Sequence, residues 1–221
     1  MADEVEHLRV TYNDTHRKCT PKIAKDFNPD LMIAIGGGSV APVSQLIWSN
    51  GLSSGFFPAR VMRTFLREET EHKALQIQAI GLSLYEPVEG TSVNVIGQEV
   101  IRTQWLGPNS GKLLLGRRNL IVDEVDDTRK TLHYALSELQ KDVEEELLTH
   151  PESERAALRE ATKFGIFVVH NKNKAKLADL PADTPYFAGE TVEDVWLDYP
   201  WEAMDIEEHD RLAFADRKST T

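Results

Sequence analysis

Cysteine is nearly absent: Cys19 is the only one in 221 residues. No intrachain disulfide can form, which suits a reducing cytoplasm, and a lone thiol of this kind reads as a small packed side chain rather than a nucleophile. Positive charge is also short. Lys and Arg number 25 against 36 Asp and Glu, a net charge of −11, which argues against a nucleic-acid backbone as partner. No apolar run approaches the roughly 18 residues of a membrane span, and the acidic start Met1 to His7 lacks the apolar core of a signal peptide. The common phosphate-loop signatures are missing too. Gly36-Gly37-Gly38 is not followed by Gly-Lys-Ser/Thr and does not complete Gly-x-Gly-x-x-Gly. The Gly111-Lys112 pair runs into leucine with no helix-start pattern.

What is present centres on Leu120 to Thr131. Leu120, Ile121 and Val122 follow a basic turn and read as a buried strand. Four carboxylates fill the next five positions, Asp123, Glu124, Asp126 and Asp127, and Thr128, Arg129, Lys130 and Thr131 follow at once. Apolar residues then fall at Leu132, Ala135, Leu136, Leu139, Val143 and Leu147, one face of an amphipathic helix. The spacing therefore places acids at the carboxyl end of a strand and hydroxyls at the amino end of a helix. A helix start offers unpaired N–H groups and partial positive charge, which suits a phosphate. The neighbouring acids suit sugar hydroxyls, a magnesium shell or a proton. The plainer reading is an acidic helix cap on a solvated turn.

Elsewhere the pattern predicts a first strand at Leu8 to Tyr12 and a helix capped by Asn13 or Asp14 and running to about Phe27. Leu31 to Ile35 reads as a buried strand ending in the three glycines, and further strands are read at Ala74 to Leu84, Gln98 to Thr103 and Lys163 to Val169. Pro151 splits the charged stretch Asp142 to Arg159 into two helices. Strand–helix alternation predicts an α/β fold: a mainly parallel sheet with helices on both faces and a small lobe over about 171–206. The domain is read as 8–206, with a polar tail over 207–221.

The stretch Asp123-Glu124 followed by Asp127-Thr128-Arg129-Lys130-Thr131 resembles the phosphoribosyl-pyrophosphate motif of the type I phosphoribosyltransferases. Arg129 stands where most of that superfamily has glycine, and the departure resembles the fungal hypoxanthine-guanine members and their xanthine-using relatives. The likeness runs from about Val10 to Trp201. It implies transfer of ribose 5-phosphate from phosphoribosyl pyrophosphate to a purine base, with Mg2+, by a cytoplasmic homodimer. Asp127 would be the catalytic acid/base. Asp123, Glu124, Asp126, Thr128, Arg129, Lys130 and Thr131 would hold ribose and phosphate, with Asp123 and Glu124 also ordering the metal indirectly. Gly36, Gly37, Gly38 and Arg102 would face pyrophosphate, although Arg102 reads equally as an exposed strand charge. Lys172, with Lys174 as its rival, would meet the purine 6-oxygen, and His170 would be a structural polar group. Trp196 would stack on the base, with the backbone of Leu197 and Asp198 near its 2-position, and Trp201 would pack in the core. Alternatives are a xanthine phosphoribosyltransferase and a non-catalytic phosphoribosyl-pyrophosphate-binding regulator. One segment departs from the family pattern. Ser39 to Ser54, uncharged and without periodicity, separates the glycines from Phe57-Pro58-Ala59-Arg60 and reads as an insertion or a translated short intron.

Overall fold

The computed structural model describes residues 6–19, 27–37, 54–69, 74–84 and 100–219. Gly38 and all of the Ser39 to Ser54 segment except Ser54 lie outside them. The strands are β1 (His7–Arg9), β2 (Leu31–Gly36), β3 (Gln76–Leu84), β4 (Val100–Gln104), β5 (Arg118–Asp126), β6 (Lys163–Lys172), β7 (Tyr186–Val192) and β8 (Trp196–Asp198). The helices are α1 (Tyr12–Lys18), α2 (Phe56–Glu69), α3 (Ser110–Leu114), α4 (Lys130–Leu147), α5 (Glu152–Ala161) and α6 (Ile206–Ser219). Six strands form one sheet in the order β4-β3-β2-β5-β6-β7, parallel except for the antiparallel β3–β4 pair. The lobe expected over 171–206 divides: β7 joins the main sheet, while β8 pairs with β1 in a separate two-stranded parallel sheet. No helix among the described residues is long and apolar enough to cross a membrane.

Strand alternation explains the two cores. Leu31, Ile33, Ile35, Ile121, Ile166 and Val168 pack with Leu132, Ala135, Leu136, Leu139, Val143 and Leu147 of α4. Met32, Ala34, Leu120, Val122, Phe167 and Val169 pack with Ala59, Met62 and Leu66 of α2 and with Cys19. Each fully buried Leu or Val contributes roughly 1.5–3 kcal/mol, so these faces clamp the central strands between helix layers. Burial pushes the Cys19 thiol up to about 12, in keeping with a packed rather than reactive residue.

Some boundaries differ from the sequence expectations. β5 does not stop at Val122 but runs through the acids to Asp126, because Asp123, Val125 and Asp126 keep register with Val168, His170 and Asn171 of β6. α1 is capped by Thr11, which exchanges hydrogen bonds with Asp14 in a capping box, and it ends at Lys18 well short of Phe27. The polar tail is helical through Ser219. Asp205 accepts the Glu208 N–H at 3.0 Å, and His209 and Ala213 are buried. A single buried line inside a charged run gave too weak a period to read.

Candidate active site

β2, β5 and β6 are parallel neighbours, so their carboxyl ends share one edge. That edge brings Gly36 and Gly37, Asp123 to Asp127, and Lys172 together. Gly37 has φ +123°, and a Cβ there would stand 1.7 Å from the Leu82 carbonyl oxygen, so only glycine fits. The Ser54 hydroxyl donates to the Ile35 carbonyl at 3.1 Å.

Asp123 and Glu124 are both more than nine-tenths buried. Asp123 accepts the Glu124 N–H at 2.8 Å, and the Glu124 carboxylate accepts the Trp201 indole N–H at 3.0 Å. Burial raises Asp123 to about 8, with Asp126 adding repulsion. Burial also raises Glu124, with Glu202 and then Asp123 as like-charged neighbours. The Asp123 shift makes a stability prediction. Its folded value lies above its ordinary 3.8, so folding takes up a proton between those values. The native state is most favoured by this group below about pH 4 and loses that advantage as pH rises through about 8. Asp123→Asn never titrates, so it should melt progressively higher than the parent between pH 5 and pH 8, at about 2–4 °C per kcal/mol gained for a chain of this size. Melts across that range check this; a pH-independent difference would contradict the shift.

Asp126, expected to touch ribose or phosphate, has its side chain engaged within the protein. Its side chain has no exposed surface. It accepts Arg129 Nε and Nη2 at 3.0 and 2.9 Å and the Tyr186 hydroxyl at 2.8 Å. Arg129 is likewise drawn back from the loop, with its guanidinium 5.1 Å from the Tyr186 ring centroid. It adopts left-handed backbone, φ 69°, which costs a non-glycine residue roughly 1–2 kcal/mol. The two bonds to Asp126 and the Tyr186 ring offset that cost. An arginine can thus occupy a glycine conformation here.

α4 begins directly after Arg129, whose side chain makes no capping hydrogen bond to it. Thr128 precedes this start by two residues and Thr131 lies in its first turn, which carries no acid, so the acids are not a helix cap. The loop is braced from behind. Lys176 Nζ donates to the carbonyls of Asp126 (2.7 Å), Asp127 (2.9 Å) and Lys172 (2.9 Å), and the Leu177 N–H donates to the Thr128 carbonyl at 3.0 Å. The sequence reading missed Lys176 because its partners are main-chain carbonyls, which leave no pattern in residue identity. Asp127 faces Lys174 at 2.9 Å and Lys172 at 3.5 Å, and Asp194 lies across the same two ammonium groups at 2.8 and 3.3 Å. Asp194 was also missed.

The remaining predicted residues lie farther out. Arg102 is on β4, opposite Leu82, and its guanidinium is engaged by Glu138, by the Tyr134 hydroxyl at 3.2 Å and by the Trp105 ring at 4.1 Å. It faces α4 rather than the glycine turn. Trp196 is 56% exposed on β8, 6.5 Å from the His7 ring. Leu197 is half-buried, and the Asp198 carboxylate is held by His7 at 2.8 Å. Trp201 is not simply core. It stacks between Tyr199 and Phe57 at 4.8 and 5.3 Å while reaching Glu124.

A mainly parallel sheet with buried acids at one strand end and an uncapped helix start beside them defines an α/β protein of the sugar-phosphate- and nucleotide-handling class. No protein-family model matches the chain. It is 49% identical over 213 residues to the hypoxanthine-guanine phosphoribosyltransferase of Schizosaccharomyces pombe, covering 92% of each chain. It is 44% identical over 227 residues to xanthine phosphoribosyltransferase 1 of Saccharomyces cerevisiae, covering 96% of this chain and 97% of that one. A crystal structure of a hypothetical protein from Neisseria gonorrhoeae with bound ppGpp shares 35% identity at a TM-score of 0.66, covering 96% of this chain and 98% of the other. The chain belongs to the family of hypoxanthine-guanine and xanthine phosphoribosyltransferases.

Proposed function

We propose that the chain transfers ribose 5-phosphate from phosphoribosyl pyrophosphate to hypoxanthine or guanine, forming IMP or GMP and pyrophosphate. The observation that carries this is the uncapped start of α4, with Thr128 and Thr131, immediately beyond the buried Asp123-Glu124 pair. The 5-phosphate binds the N–H groups and hydroxyls of Thr128 to Thr131, with Lys130 adding charge. Asp123 and Glu124 hold the ribose hydroxyls. Beside the positive charge that develops on the sugar as the C1–O bond loosens, the ionised form that burial disfavours in the free protein becomes the stable one, and the two carboxylates oppose that charge. Gly36 and Gly37, at the end of β2, let the backbone approach the departing pyrophosphate. Arg102 reaches that group only by giving up Glu138.

Lys172 donates to the purine 6-oxygen, Trp196 stacks on the base, and the backbone of Leu197 and Asp198 lies at its 2-position. Asp127 takes the N7 proton as the new bond forms, and Lys174 steadies its charge. Asp126 and Arg129 act one step back, shaping the loop rather than touching the sugar.

The residues fit Mg2+. Among the described residues no group of three or more His, Cys, Asp or Glu could hold a metal alone. Mg2+ characteristically takes one or two carboxylates and completes its shell with water and substrate phosphates, and two adjacent buried acids offer that much. Asp123 and Glu124 would orient the shell of a bound Mg2+, which would supply charge neutralisation at the pyrophosphate.

A cytoplasmic setting is supported by the lone buried thiol, and a homodimer by the exposed aromatic surface of Tyr12, Phe56 and Phe57. Calorimetric titration with phosphoribosyl pyrophosphate and Mg2+ tests the site. Binding that Thr131→Val weakens at least tenfold supports the phosphate assignment; full-strength binding by that variant refutes it.

A further inference from the structure

Behind the acid pair runs a chain of polar groups, from the exposed Glu190 and half-buried Lys18 inward to buried His170 and Tyr199, that no substrate contact uses. Lys18 Nζ pairs with Glu190 Oε2 at 2.6 Å and lies 2.8 Å from His170 Nε2. His170 is fully buried, and its Nδ1 lies 2.9 Å from the Tyr199 hydroxyl. That hydroxyl reaches the Glu124 main-chain carbonyl at 3.1 Å. The proton directions follow from chemistry. An ammonium group only donates, so Nε2 accepts and the imidazole proton sits on Nδ1. Nδ1–H therefore donates to the tyrosine oxygen, and the tyrosine proton is left for the Glu124 carbonyl. Every group is satisfied with a neutral histidine. Burial, with the Lys18 charge beside it, lowers His170 to about 3, which keeps it neutral at physiological pH.

A second grip comes from the same stack. The Tyr199 ring lies on Trp201 at 4.8 Å and 13°, and Trp201 donates its indole N–H to the Glu124 carboxylate at 3.0 Å. Glu124 is thus held at its carbonyl by one ring and at its carboxylate by the next. A binding group displaced by about 1 Å can forfeit as much as 10²-fold in rate.

We infer that His170, Tyr199 and Trp201 are positioning residues that fix Glu124 in the orientation that meets the ribose hydroxyls, an inference that rests on the ribose assignment proposed above. The test is a double-mutant cycle read by calorimetric titration with phosphoribosyl pyrophosphate and Mg2+, with melting curves on each protein. Tyr199→Phe keeps the ring stack and deletes one hydroxyl. It should weaken binding about 3–10-fold, the range that one lost hydrogen bond supports. Trp201→Phe, which deletes the indole N–H, should do the same and carries the test should Tyr199→Phe fail to fold. Glu124→Gln should itself weaken binding, and adding either aromatic change to it should cost nothing further. Losses that simply add, or a lowered melting temperature with unchanged affinity, overturn the positioning role and leave the ribose assignment standing. Unchanged binding in Glu124→Gln alone removes the ribose assignment instead, and with it the object the aromatic residues would position.

Discussion

Asp127→Asn is expected to lower turnover by about 10²–10⁴-fold, the usual contribution of a positioned proton-transfer group. The affinity for phosphoribosyl pyrophosphate should fall far less. The separation follows from the structure. The phosphate-binding elements, Thr128, Thr131 and the open start of α4, are held by Lys176 and Leu177 through main-chain groups that an Asp-to-Asn change leaves in place. Among the described residues the carboxylate itself pairs with Lys172 and Lys174. Asparagine cannot accept a proton and weakens both pairs, so the change removes the chemistry without removing the cradle. Steady-state rates with calorimetric affinities check this. A variant that turns over like the parent would take Asp127 out of the reaction.

Gly37→Ala is expected to act on everything at once. Its backbone, at φ +123°, is one that side chains rarely adopt, which costs roughly 1–3 kcal/mol. The added methyl would also stand 1.7 Å from the Leu82 carbonyl oxygen, so the end of β3 or the turn itself must move. Displacing the turn beside Asp123 by about an ångström should reduce turnover on the order of 100-fold. Gly107 is the control. It too has positive φ, 90°, but among the described residues nothing lies within 4 Å of a Cβ there. Gly107→Ala should therefore show modest destabilisation and near-parental activity. Equal losses in the two variants would mean that backbone strain alone, not the contact with Leu82, limits the turn.

The elements with strong periodicity were legible from residues alone. The six apolar positions read for α4 are all buried, and Leu31 to Ile35 is a fully buried strand between two helix layers. The acid–hydroxyl sequence after Val122 also sits where it was read, at a strand end and a helix start. What could not be read depends on main-chain partners or on residues distant in sequence. Lys176 grips three carbonyls, and nothing distinguishes it in the run Lys172 to Lys176 from a solvated charge. Asp126 looks like its acidic neighbours, yet Arg129 and Tyr186 consume it, and Tyr186 is 60 residues away. Trp201 reads as core from its apolar neighbours, and only the folded chain brings its indole to Glu124. Helix α6 was hidden because one buried line through His209 and Ala213 supports it among charges.

The most direct measurement is product formation. The chain is incubated with phosphoribosyl pyrophosphate, Mg2+ and equal amounts of hypoxanthine, guanine and xanthine, and the nucleotides are separated and counted against pyrophosphate released. IMP and GMP, each matched one for one by pyrophosphate and together exceeding XMP, is the expected result. XMP as the main product would contradict the base assignment, and a chain that binds phosphoribosyl pyrophosphate yet forms no monophosphate from any base would contradict catalysis itself.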